Sequence, residues 1–103
     1  MADWTSVGTN DQVGDDEPFS VKVGDREIGI YRVNGELYAL EDVCPHAYAL
    51  LSQGFVDGET IECPLHEAVF HIPTGKCLKE PGGRDLCSYK VRLAGQDIQI
   101  LVE

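Results

Sequence analysis

Apolar and polar positions alternate with period two at both ends of the chain, the period of half-buried strands rather than helices. Phe19-Ser20-Val21-Lys22-Val23 is the clearest case. After Gly24-Asp25, the run from Arg26 to Val33 predicts a second strand with Ile28 and Ile30 on one face. Asn34-Gly35 then predicts a tight type I′ hairpin turn, because both central residues need positive φ. Glu36 to Leu40 returns as the partner strand. Trp4 to Val7 reads as a first edge strand, and Gly8 to Pro18 as a polar, acidic surface loop. Near the other end Tyr89, Val91 and Leu93 alternate with Lys90 and Arg92. Ala94-Gly95-Gln96-Asp97 turns the chain, and Ile98, Ile100 and Val102 close it as a last strand.

The middle, Val43 to Gly83, has another texture. Pro45, Pro64, Pro73 and Pro81, with Gly54, Gly58, Gly75, Gly82 and Gly83, break it into short pieces. Only Ile61 to Cys63 and Val69 to Ile72 read as strands there, with Pro73-Thr74-Gly75 as a turn. Leu37 to Leu51 is apolar enough for a helix, but Pro45 interrupts it, and no window sustains a 3.6-residue period. The expected fold is all-β: antiparallel sheets with a Greek-key-like base and a loop-rich insert at about 43–83. All 103 residues fit one domain, 1–103.

Charge narrows the partners. Eighteen acidic against 8 basic residues give a net charge of -10, which repels nucleic acid and anionic membrane. No apolar run is long enough for a membrane span. Met1-Ala2-Asp3-Trp4-Thr5 has neither the basic nor the apolar region of a signal peptide, so the expected compartment is the cytoplasm. The expected state is a monomer. A reducing cytosol disfavours disulfides among Cys44, Cys63, Cys77 and Cys87, leaving metal ligation or burial.

Spacing separates the two. Cys44-Pro45-His46 is followed, sixteen residues later, by Cys63-Pro64-Leu65-His66, in a chain with only 3 histidines. Two loops thus each offer one thiolate and one imidazole, and Cys44, His46, Cys63 and His66 are the candidate ligands. Zinc takes a Cys₂His₂ set in a closed, purely structural site. A Rieske [2Fe–2S] cluster takes two Cys on one iron and two His on the other. Zinc fingers set their cysteines together and then their histidines; one of each per loop suits the cluster.

At these residues the sequence resembles the Rieske ferredoxins, most of all the small ferredoxins of bacterial aromatic-ring-hydroxylating dioxygenases. The likeness extends over nearly the whole chain and includes Leu51, Gly54, Gly58, Phe70 and Thr74-Gly75. It implies Cys44 and Cys63 on the inner iron, His46 and His66 on the outer one, and Pro81-Gly82-Gly83 as a covering flap. It also implies a one-electron carrier rather than an enzyme, between an NAD(P)H-dependent flavin reductase and a Rieske non-haem iron oxygenase. The alternatives are the Rieske small subunit of a larger, nitrite-reductase-type enzyme and a zinc-stabilised binding module.

Some positions depart from high-potential relatives. Ala49 and Leu65 stand where those carry an extra disulfide, and Ala68 and Phe70 where they carry hydroxyl donors to sulfur. Fewer donors imply a low-potential cluster. Cys77 and Cys87 match no ligand position and read as packing, as do Trp4 and Tyr48; His71 reads as no ligand. Between Val33 and Gly75 stand Glu36, Glu41, Asp42, Asp57, Glu59, Glu62 and Glu67 without a single Lys or Arg: either a plain solvated surface or an acidic collar that would steer basic partners.

Overall fold

The computed structural model describes residues 3–15, 17–44, 49–64, 68–79 and 84–102. Ten strands fill most of them: β1 Asp3–Thr9, β2 Phe19–Val23, β3 Arg26–Val33, β4 Glu36–Glu41, β5 Phe55–Asp57, β6 Thr60–Glu62, β7 Val69–His71, β8 Cys77–Lys79, β9 Ser88–Ala94 and β10 Asp97–Val102. They form two antiparallel sheets, one in the order β1-β10-β9-β4-β3-β2 and one in the order β5-β6-β7-β8. The all-β expectation holds, and no helix is long and apolar enough to cross a membrane.

The terminal strands follow the alternation. β2 and β3 have the expected bounds, and Asn34 and Gly35 between β3 and β4 have φ of 52° and 83°, the left-handed pair that a type I′ turn demands. Leu93 departs from the pattern: it is 45% exposed, although Val91 on the same strand packs against the core. The acidic loop is anchored rather than free. Val13 is buried, and the Arg32 guanidinium donates to the backbone oxygens of Val13 and Asn10.

β3 has no solvent face over most of its length. Ile28 and Ile30 pack with Ala39, Ile98 and Ile100 in one core. Tyr31 and Val33, on the opposite face, pack with Leu40, Leu51, Ile61, Phe70 and Ile72 in a second. The β3–β4 hairpin is therefore a wall shared by two cores, and the second core joins the large sheet to the middle of the chain.

That middle is more regular than its proline and glycine content predicts. β5, β8 and a single 3-10 turn at Leu51–Gln53 are additions to the expected strands β6 and β7. Three-residue strands show no readable period, so nothing local announced β5 or β8. Gly54 marks the tightest approach: a Cβ there would lie 1.9 Å from the backbone oxygen of Glu62 on β6. Gly58, in the β5–β6 turn, has open space around it but a φ of 61°. Gly54→Ala should cost about 3 kcal/mol, since backbone must move, and Gly58→Ala about 1 kcal/mol of backbone strain. Thermal unfolding should resolve the two, at roughly 4–8 °C per kcal/mol for a chain of this size.

Candidate metal centre

Cys44 and Cys63 occupy equivalent places on two equivalent stems. Val43 pairs with Leu50 in an isolated bridge, and the Cys44 N–H donates to Ala49 O at 2.9 Å. Glu62 pairs with Val69, and the Cys63 N–H donates to Ala68 O at 2.9 Å. Each stem thus closes a loop running from Cys through Pro to Ala five residues on: Cys44-Pro45 to Ala49, and Cys63-Pro64 to Ala68. This equal closure was legible in the sequence as C-P-x-x-x-A twice; only the unequal Cys–His spacings drew notice. His46, Tyr48, Leu65, His66, Glu67 and the Pro81-Gly82-Gly83 segment lie outside the described residues.

Neither cysteine is in a disulfide and both are buried, in the same core cluster with Ala68, Phe70 and Leu51. Two strands of the second sheet and the 3-10 turn thereby bring residues nineteen positions apart in sequence into one apolar environment. Ala68 and Phe70 are completely buried there, so the positions noted for lacking hydroxyls belong to the packing around Cys44 and Cys63.

The base of the first loop depends on Asp42, which the sequence reading assigned to an acidic collar. It has no exposed surface. Its carboxylate accepts from Ser52 N at 2.7 Å, Ser52 Oγ at 2.7 Å and Ser20 Oγ at 2.9 Å. Its backbone oxygen accepts from Leu51 N at 2.6 Å. Asp42 therefore ties together the two ends of the first loop and the edge strand β2. Its neighbourhood leaves no room at Gly29, where a Cβ would lie 3.0 Å from the Tyr31 hydroxyl and 3.1 Å from Asp42 Oδ1. Burial, helped by the nearby Asp42 charge, raises the Tyr31 phenol far above its ordinary value.

Glu41 is not a free collar charge either. Arg84 donates to both of its carboxylate oxygens, and Cys87 N donates to Oε1 at 2.7 Å. Burial alone would raise the Glu41 carboxyl, but the hydrogen bonds from Arg84 and the Cys87 backbone outweigh it and hold it below the usual carboxylate range. With Leu86 N donating to Gly75 O at 2.7 Å and Cys77 N to Asp85 Oδ1 at 2.8 Å, this pair anchors the chain that follows Pro81-Gly82-Gly83.

The remaining candidates are placed away from ligation. His71 Nε2–H donates to Glu59 Oε1 at 3.0 Å, and Nδ1 shares a hydrogen bond with Thr74 Oγ1 at 2.9 Å. Cys77 packs partly against the core and Cys87 is exposed, both as free thiols. Trp4 lies half-buried under the Arg92 guanidinium, 4.1 Å from ring centroid to charge centre. Among the described residues no group of three or more His, Cys, Asp or Glu could hold a metal ion, so these residues make no second centre there.

Residues 3–90 match the Rieske [2Fe-2S] domain. The chain belongs to the Rieske [2Fe–2S] family. Across 97% of this Rieske chain and 96% of the relative, it is 36% identical to the ferredoxin component of naphthalene 1,2-dioxygenase/salicylate 5-hydroxylase systems of a Ralstonia species. The Sphingomonas yanoikuyae B1 ferredoxin superposes with a TM-score of 0.93 at 28% identity, covering 98% of this chain and 100% of that one. A ferredoxin solved in complex with the oxygenase of carbazole 1,9a-dioxygenase superposes with a TM-score of 0.87 at 32% identity, covering 94% and 91%. A single Rieske-type [2Fe–2S] cluster is the cofactor of this fold. The Rieske donor set fits what is described of the site: two buried cysteines outside any disulfide in one apolar cluster, each at the head of a stem whose loop also carries a histidine.

Two consequences can be measured. Asp42→Ala strands a backbone N–H and two hydroxyls, and each hydrogen bond to a charged group is worth about 1.5–3 kcal/mol. The variant should lose at least about 3 kcal/mol, seen as a thermal midpoint lower by roughly 12–24 °C, and Asp42→Asn should lose less. The Glu41 contact has a folded-state pKa below the unfolded one, so its stabilisation is present above the ordinary carboxylate range and is lost as pH falls through the lowered value. Arg84→Gln should therefore lower the thermal midpoint by a few degrees near neutral pH, about 0.5–1 kcal/mol for an exposed pair, and by progressively less in acid.

Proposed function

We propose that this protein is a Rieske ferredoxin: a one-electron carrier that takes electrons from an NAD(P)H-dependent flavin reductase. It delivers them to the Rieske non-haem iron oxygenase of an aromatic-ring-hydroxylating dioxygenase system. The observation that carries the reading is the pair of matched stems, which set buried Cys44 and Cys63 at the heads of two loops that contain His46 and His66. These four residues are the proposed ligands, and about 43–83 is the cluster-binding part of a single domain. The similarity to ferredoxin components over nearly the full length supports a separate carrier rather than a domain of a larger enzyme. A cytoplasmic, monomeric protein fits that role.

When bound, the cluster supplies one-electron chemistry without atom transfer. The chain's own part is to hold the ligands rigidly and to present them to partners. Charge supports the second task. Glu36 and Asp57 are exposed, and Glu59 and Glu62 stand on or beside the sheet that carries Cys63. A net charge of -10 favours fast, weak encounters with basic partner surfaces.

The test pairs ligand replacement with transfer kinetics. The purified protein should be coloured and bleach on dithionite, and the reduced form should pass one electron to an aromatic-ring-hydroxylating oxygenase at a rate that falls as salt rises. His46→Ala and His66→Ala should each abolish the visible absorption of the cluster, whereas Cys77→Ser should retain it. A colourless, zinc-containing wild type would defeat the reading. So would a Cys77→Ser variant that empties the site while His66→Ala does not.

A further inference from the structure

The four-stranded sheet buries one face and leaves the other open. Val56, Ile61, Phe70 and Cys77 lie in one row and pack against the core. On the opposite face the row nearest the second loop reads Phe55, Glu62, Val69 and Lys79 across the strands. Leu78 is the extra residue where the register shifts between Val69 and Phe70.

Glu62 and Lys79 interrupt this row with charge, but its apolar members are large and exposed. Phe55 is 65% exposed and Leu78 52% exposed, the two most exposed large hydrophobic residues among those described, with half-buried Val69 between their strands. β5 and β8 are the two edges of the sheet, so the spot spans three inter-strand spacings, about 14 Å. The close approach of Gly54 to Glu62 O fixes Phe55 in this register.

Position makes the row more than a patch. Glu62 immediately precedes Cys63, and Val69 immediately follows Ala68, so the row lies one step below the hydrogen bond that closes the second loop. A second copy is a poor occupant: two chains of charge -10 would bring Asp57 and Glu62 of each into opposition. The complement is an apolar depression with Lys or Arg on the side that meets Asp57 and Glu62. A ferredoxin of the same fold is known in complex with an oxygenase, which makes the electron acceptor the partner of choice.

We infer that Phe55, Val69 and Leu78, edged by Glu62 and by Lys79 on β8, form an apolar docking spot that seats in a depression on the terminal oxygenase whose basic groups face Asp57 and Glu62. The inference rests on the carrier reading and names the surface and partner through which it operates. A transient redox encounter buries less than about 1,200 Å² in all, so one aromatic anchor carries a large share of its affinity.

The test uses the cluster-loaded protein and an oxygenase that the wild type reduces. Phe55→Ser and Leu78→Ser are compared with Leu93→Ser, an exposed apolar residue on the other sheet. Visible spectrum and reduction potential should be unchanged in all three, showing the cluster intact. The second-order rate of electron delivery to the oxygenase should fall at least about 5-fold for Phe55→Ser, the size of a 1 kcal/mol hot spot. It should stay within about twofold for Leu93→Ser, the scatter of a surface change, and reduction by the flavin reductase should not change. Wild-type rates in both docking variants, an equal loss in Leu93→Ser, or a loss confined to the reductase would each overturn the inference. A wild-type dimer that Phe55→Ser dissolves would assign the face to self-association and overturn it as well. A wild type that reduces no oxygenase fails the carrier reading instead, a distinguishable result.

Discussion

Two backbone hydrogen bonds, Cys44 N to Ala49 O and Cys63 N to Ala68 O, set the conditions for the rest of the structure. Each closes a proline-bearing loop and fixes its cysteine at the mouth of an antiparallel pair. The two stems are supported unequally. The second is one end of a four-stranded sheet, but the first consists of one isolated bridge, Val43 with Leu50. Asp42 makes up the difference by binding Ser52 on the far side of the loop and Ser20 on β2. Burying a carboxylate completely is costly, and three donors converging on it offset that cost.

The two cores extend this rigidity. β3 and β4 are packed on both faces, so a displacement of the Cys44–Cys63 region would have to disturb the large sheet as well. The chain after Pro81-Gly82-Gly83 is tied to the same hairpin through Arg84 and Glu41 and to the second sheet through Leu86 and Gly75. Such a frame suits a carrier, whose ligands must change little between charge states while its outer face meets two different proteins. Stems held in two cores, with exposed Phe55 and Leu78 beside them, suit both demands.

What could be read from the chain follows physical reach. β2, β3, β4 and the Asn34-Gly35 turn depend on local alternation and local φ, and they were legible residue by residue. The ligand candidates were legible because thiolate and imidazole pairs at short spacing have few other uses, and the family match agrees with the cofactor they indicated. β5 and β8 were hidden, since three residues carry no period and their pairing is decided by Gly54 approaching Glu62 and by the bulge at Leu78. Asp42 and Glu41 were misassigned to the surface for a related reason. A charge count along the chain cannot distinguish a solvated carboxylate from one whose partners, Ser20 and Arg84, lie 22 and 43 residues away.

The central claim is that His46 and His66 share one two-iron centre with Cys44 and Cys63. Pulsed electron paramagnetic resonance on dithionite-reduced protein, with histidine labelled uniformly by nitrogen-15, tests it most directly. The expected result is a paramagnetic reduced state coupled to two inequivalent imidazole nitrogens. A reduced protein that is silent, or whose signal carries no histidine nitrogen coupling, would contradict it.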